Sequence, residues 1–172
     1  CIRDRLSRVS SHNPALGVVM MVPNSLGPGE LLQHYGTEEQ KDRYLPGLAS
    51  GDYVPCFGLT GPHNGSDATG QIDRGVVRRA EDGSLVVETD LNKRYITLAP
   101  VSNLVGVAVH VDDPDHLLSE GRPGITLFLL EKGFPGLRQD THHIPNHAGF
   151  PNGTLKGKVQ ICLLYTSDAA DE

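Results

Sequence analysis

Apolar residues recur in two different rhythms along this chain, and the change falls near residue 50. In the first stretch Ile2, Leu6 and Val9 stand at helical spacing with charged residues between them. Ala15 to Val22 is apolar on every side, which predicts a buried helix ending at Pro23. A Gly27-Pro28-Gly29 turn leads into a short amphipathic helix, Glu30 to Tyr35, that Gly36 can close. Thr37-Glu38-Glu39-Gln40 fits a capping box, in which the Thr37 hydroxyl and the Gln40 side chain each satisfy a free N–H. That last helix is predicted to stop at Tyr44 or Leu45, before Pro46.

From Tyr53 the pattern shortens to strands punctuated by Gly, Pro, Asp and Asn. The predicted strands are 54–59, 75–80, 84–90, 93–98, 103–111, 124–130 and 155–161. Val105 to Val111 and Ile125 to Leu130 are almost continuously apolar, as central strands are. Strands in succession without helices between them predict an antiparallel barrel or sandwich. The fold class is therefore α+β, with helices over 1–52 and an antiparallel barrel or sandwich over 53–161.

Composition narrows the chemistry. The net charge of −6 over 172 residues leaves no basic face for nucleic acid. Three of those charges belong to Asp168, Asp171 and Glu172. They lie in the stretch 162–172, which resembles a translated sequencing adapter and is set aside from the fold, and both ends of the chain read as cut. Cys1, Cys56 and Cys162 match neither a disulfide framework nor a metal spacing, as expected of a reducing compartment. The longest apolar run has eight residues, against about 20 for a spanning helix. His142-His143 with His147 suggests a metal only on a helix, and Pro145 and Gly149 argue against one, so no metal is expected. Asp73-Arg74 with Arg78-Arg79 reads as a solvated strand edge, and Cys56 as an inert buried thiol.

Two segments carry a more specific signal. Phe57-Gly58-Leu59-Thr60-Gly61-Pro62-His63-Asn64-Gly65-Ser66-Asp67 joins a short strand to a turn rich in hydroxyls and backbone N–H groups. Gly65 allows a ligand to approach closely, and such a turn suits a flavin edge and its phosphates. By its chemistry alone it is equally a β-turn whose Thr, Asn and Ser cap their own backbone. Lys93-Arg94-Tyr95-Ile96-Thr97 then offers a cation, an aromatic ring and a hydroxyl on another strand.

Together these segments resemble the flavin-binding signatures of the acyl-CoA dehydrogenases. The first is similar to Thr-Glu-Pro-x-x-Gly-Ser-Asp, matched at Thr60, Pro62, Gly65, Ser66 and Asp67, with Gly61 in the Glu place and Phe57 in the aromatic place. The second is similar to Gly-x-Lys-x-Trp-Ile-Thr, matched at Lys93, Ile96 and Thr97, with Asn92 for Gly and Tyr95 for Trp. Pro23 to Leu32, Tyr35-Gly36-Thr37, Gln40-Lys41 and Asn92 to Pro100 resemble the large bacterial long-chain members that serve β-oxidation. The resemblance covers about residues 15–158, and it implies the end of an all-α helical domain over 1–52, then an antiparallel β-barrel over 53–161, with the C-terminal helical domain missing.

The resemblance implies an FAD-dependent enzyme that introduces the α,β double bond into medium- or long-chain fatty acyl-CoA. It implies FAD contacts at Phe57, Leu59 (through its backbone N–H), Thr60, Gly65, Ser66, Tyr95, Ile96 and Thr97. Thr97 would lie by flavin N5, Tyr95 would flank the ring, and Ser66 would lie near the pyrophosphate and the acyl-CoA. It places the catalytic Glu in a C-terminal helical domain outside this stretch, so these residues alone are not expected to turn over substrate. It further implies electron-transfer flavoprotein as electron acceptor, a homo-oligomer at full length, and a location in the cytoplasm or peripherally at the inner membrane. The competing readings are a flavin monooxygenase or acyl-CoA oxidase of the same fold, and a non-catalytic β-barrel that binds a nucleotide or a protein.

Overall fold

In the computed structural model, residues 2–21, 27–67, 70, 72–118, 124–143 and 151–163 are described. Four helices come first: α1 (Ile2–His12), α2 (Pro14–Met21), α3 (Gly27–Tyr35) and α4 (Glu38–Ser50). Seven strands follow: β1 (Pro55–Gly58), β2 (Arg74–Arg79), β3 (Leu85–Thr97), β4 (Leu104–Asp112), β5 (Gly124–Glu131), β6 (Arg138–His143) and β7 (Asn152–Cys162).

The Thr37 capping box forms as the sequence predicts. The Thr37 hydroxyl accepts from the Gln40 N–H at 3.2 Å, and Gln40 Oε1 accepts from the Thr37 N–H at 3.0 Å. α4 nevertheless runs through Pro46 to Ser50 and closes at Gly51 in the left-handed conformation (φ 88°). The i−4 carbonyl that Pro46 leaves without a donor belongs to Asp42, on the exposed side, where water can serve it. α2 departs from the predicted buried helix, because Leu16 and Met20 are half exposed. Residues 22–26, including Pro23, lie outside the described residues.

The sheet is mixed and not closed, which corrects the antiparallel barrel. Its order is β1-β4-β2-β3-β7-β6, with β5 on the far edge of β4. Two pairings are parallel. β1 runs beside Leu104–Val107 of β4, and β2 beside His110–Asp112 of the same strand. Thus β1 and β2 share one edge of β4 end to end, and the chain leaves the sheet between them, over residues 59–73. The predicted strands 84–90 and 93–98 are one 13-residue strand, because Leu91 continues the inward face between them. The sheet curls around one core cluster in which Val105, Val107 and Val109 of β4 meet Phe128 of β5 and Leu155, Val159 and Ile161 of β7.

Among the described residues, two contacts tie helices to sheet. Phe57 packs between α3 and β4: a methyl group at Gly106 would lie 3.0 Å from both the Phe57 ring and Pro28. At the other point, Glu131 at the end of β5 accepts from Arg43 at 2.7 Å and from the Tyr44 hydroxyl at 3.2 Å.

Candidate functional site

The turn after β1 is built from the inside by Asn64, which is buried although its neighbours Pro62, His63 and Gly65 are exposed. Asn64 Oδ1 accepts from the Gly61 N–H at 2.6 Å, and its Nδ2 donates to the Leu59 carbonyl at 3.3 Å. An asparagine that bonds the backbone on both sides fixes a turn that the exposed residues alone would not hold. Gly65 stands in open space, with room for a ligand on its Cα. Ser66 and Asp67 are exposed beside it, and Thr60 is half-buried.

The second segment lies next to this turn. The Arg94 N–H donates to the Thr60 carbonyl at 2.9 Å, so the two motifs meet backbone to backbone. Lys93 is wholly buried, and its Nζ donates to the Ala108 carbonyl at 2.9 Å and to the Leu59 carbonyl at 3.3 Å. Asp73 Oδ2 lies 3.3 Å from the same nitrogen. Burial pushes the Lys93 ammonium below its ordinary pKa, and Asp73 partly offsets this. The basic member of the second motif is therefore an internal tie, not a group presented to a ligand.

Between Lys93 and Ile96 the pairing of β3 with β7 slips by one residue: Lys93 faces Leu155, but Ile96 faces Gly153. The extra residue forms a β-bulge, which turns the strand's inward phase from Lys93 to Ile96 and puts Tyr95 outward. Tyr95 is 51% exposed, has φ 56°, and carries the Arg94 guanidinium 5.4 Å from its ring centroid. Leu98 also has positive φ, at 66°. Left-handed backbone at two such residues, flanking Ile96-Thr97, costs about 1–2 kcal/mol each and is typical of sites held for function.

Thr97 is half-buried, and its hydroxyl donates to Asn152 Oδ1 across the β3–β7 pair at 3.3 Å. Asn152 Nδ2 and the Thr154 hydroxyl are buried and, among the described residues, have no hydrogen-bond partner.

Thr60, Gly65, Ser66, Tyr95 and Thr97 therefore lie on two adjoining segments with their side chains or Cα at least partly accessible. Packing against the protein also engages Ile96 and Phe57. The Ile96 side chain is in the core, so only its backbone is available to a cofactor. Phe57 faces α3 and joins sheet to helix, as its register with Gly106 requires. Asn64 caps the turn's own backbone, as the β-turn reading had it; Asp73, read as part of a solvated strand edge, is instead largely buried against Lys93, and Asn152 was missed. Among the described residues no cluster of three or more His, Cys, Asp or Glu could hold a metal. His147 lies outside the described residues.

A helical segment is joined to a mixed sheet, and among the described residues a turn and a strained bulge meet backbone to backbone at one rim. Comparison with known proteins identifies the chain's class. Residues 5–52 match the family model for the N-terminal domain of acyl-CoA dehydrogenases. An acyl-CoA dehydrogenase of Bacillus subtilis is 36% identical over 131 residues, 76% of this chain and 31% of the relative. The mitochondrial short-chain specific acyl-CoA dehydrogenase of Bos taurus is 35% identical over 132 residues, 77% of this chain and 29% of the relative. Glutaryl-CoA dehydrogenase from Mycobacterium smegmatis superposes with a TM-score of 0.62 at 28% identity, over 79% of this chain and 32% of that one. A second structure of a glutaryl-CoA dehydrogenase from that organism, in complex with FADH2, gives 0.60 at 26% identity, over 81% of this chain and 34% of that one. The chain belongs to the acyl-CoA dehydrogenase family. It spans about a third of the length of these relatives.

Proposed function

We propose that this chain forms the flavin-side wall of an FAD-dependent acyl-CoA dehydrogenase acting on medium- or long-chain fatty acyl-CoA in β-oxidation. The observation that carries the reading is the direct bond between the Thr60 turn and the Tyr95 bulge, which makes one edge from two distant segments. The residues present fit a flavin. An open glycine, exposed hydroxyls and an exposed aromatic ring stand together, and the neighbouring Lys93 is already committed to protein carbonyls.

When bound, FAD supplies a hydride acceptor for the β-hydrogen of the thioester. Tyr95 would cover one side of the ring, a role for which its exposure and fixed backbone suit it. Thr97, half-buried beside Asn152, would present its hydroxyl to the ring as a donor in place of its 3.3 Å bond to Asn152. Ser66 and the Gly65 backbone would meet the phosphate end. The α-proton would leave to a Glu outside this chain, and electron-transfer flavoprotein would take up the electrons. The named relatives carry short-chain and glutaryl substrates in their names, so the assignment of chain length rests on the resemblance of the helical segment and of Asn92–Pro100 to long-chain members.

A chimera tests this reading. The matching 131-residue stretch of the B. subtilis relative is replaced by that of this chain, and flavin content and absorbance are measured. The expected result is a yellow protein that bleaches with a long-chain acyl-CoA. A folded chimera without flavin, or one whose flavin ignores every acyl-CoA, would refute the proposal.

A further inference from the structure

The shared edge of β4 poses a problem that the fold solves with one side chain. β1 pairs as far as Val107, and β2 begins to pair at His110. At Ala108–Val109 that edge has no strand beside it, because the chain has left the sheet at Leu59 and rejoins it at Asp73. The Asp73 carbonyl accepts from the His110 N–H at 2.8 Å, so the return point is fixed to β4. The gap leaves the Ala108 and Leu59 carbonyls pointing into the protein interior, where an unpaired carbonyl is costly.

Lys93 reaches this gap from β3. Its three donors meet three acceptors from three segments: Ala108 of β4, Leu59 at the loop's exit and Asp73 at its return. Asp73 Oδ2 also accepts from the Asn92 N–H at 2.9 Å, so the carboxylate holds both the backbone and the side chain of the β3 segment that leads into the bulge. Burying an ammonium is expensive, and an apolar residue of similar size is often tolerated better in such a slot. Here it would leave the Ala108 carbonyl, and part of the bonding capacity of Leu59, unserved.

We propose that Lys93 and Asp73 clamp the neck of the 59–73 loop and thereby set the Thr60 turn in position against the Tyr95 bulge. Both are positioning residues, and the consequence for flavin rests on the function proposed above. The clamp itself is a property of the protein without cofactor. Hydrogen bonds inside the turn (Asn64 to Gly61 and Leu59) shape it locally, and the clamp fixes where that shape sits relative to β3.

Backbone hydrogen exchange of the flavin-free 172-residue chain tests this, with Asp73→Ala, Lys93→Met and the double variant. In Asp73→Ala, amides within Gly61–Asp67 should exchange about tenfold faster or more, while amides of Val105–Val109 keep their wild-type protection. Lys93→Met should do the same more strongly, and the double variant should not exceed it. If Lys93→Met fails to fold, Asp73→Ala decides alone, since its side chain is near the surface and Lys93 keeps two carbonyls. Unchanged loop amides, or loop and core accelerating by the same factor, would overturn the clamp. FAD affinity of the chimera is a second readout. Asp73→Ala there should weaken FAD about tenfold while the apoprotein amides of Val105–Val109 keep their protection. Should the parent chimera take up no flavin, the functional reading fails, while the exchange result still decides the clamp.

Discussion

Tyr95→Gly and Tyr95→Ala should rank in the order opposite to that of an ordinary strand position. In a strand interior, glycine is less stable than alanine by about 0.5–1 kcal/mol, because it has more unfolded freedom to lose. At φ 56°, however, alanine keeps the left-handed penalty of about 1–2 kcal/mol that glycine escapes. Both substitutions remove the same half-exposed ring and the same Arg94 contact, so these losses cancel in the comparison. The two ranges leave glycine the more stable by about 0.8 kcal/mol at their centres, or about 2 °C in midpoint for a chain of this size. Urea denaturation of the two variants side by side resolves that difference. Alanine equal to or above glycine would mean that Tyr95 is not held in the left-handed region, and the bulge argument would fall. In the chimera both variants should lower FAD affinity equally, because both lack the ring; a glycine variant that binds FAD like wild type would remove Tyr95 from the flavin wall.

Three further outcomes are expected. Burial pushes the Cys56 thiol up to about 11 from an ordinary 9.0; the folded state holds this proton more tightly, so stability should fall between pH 9 and 11. The loss is about 2–3 kcal/mol and should be absent from Cys56→Ala, as measured by denaturation across that range. Gly83 and Gly136 share positive φ, but a methyl group at Gly83 meets open space whereas at Gly136 it runs into the Lys158 carbonyl. Gly83→Ala should therefore cost about 1 kcal/mol and Gly136→Ala about 3 kcal/mol or more, and equal costs would contradict the close approach of the 133–136 turn to β7. Thr37→Ala should cost about 1 kcal/mol by breaking the capping box, and loss of helical circular dichroism on mild heating should report it first.

What the sequence revealed of this fold was local in origin. The capping box at Thr37 needs only four residues, and it forms as predicted. Strands with continuous apolar runs, such as Val105–Val111, were legible because both of their faces are covered. β6 was missed because Arg138-Gln139-Asp140-Thr141-His142-His143 is polar throughout, as an edge strand can be. The parallel pairings of β1 and β2 with β4 were hidden because they depend on register between segments 30 to 50 residues apart in sequence. That topology also decides Lys93. As a motif residue it read only as the basic member of a trio, whereas the gap in the β4 edge gives it a task inside the protein. Tyr95 and Thr97 could be named from their motif, whereas the bulge that turns them away from the inward phase of Lys93 arises only from the pairing with β7.

The central claim is that two segments, 59–67 and 94–98, form one flavin-contact edge. Hydrogen exchange of the chimera with and without FAD tests it most directly. Slowed exchange in both segments on adding FAD is the predicted result. Protection of only one segment, or flavin bound with neither protected, would contradict it.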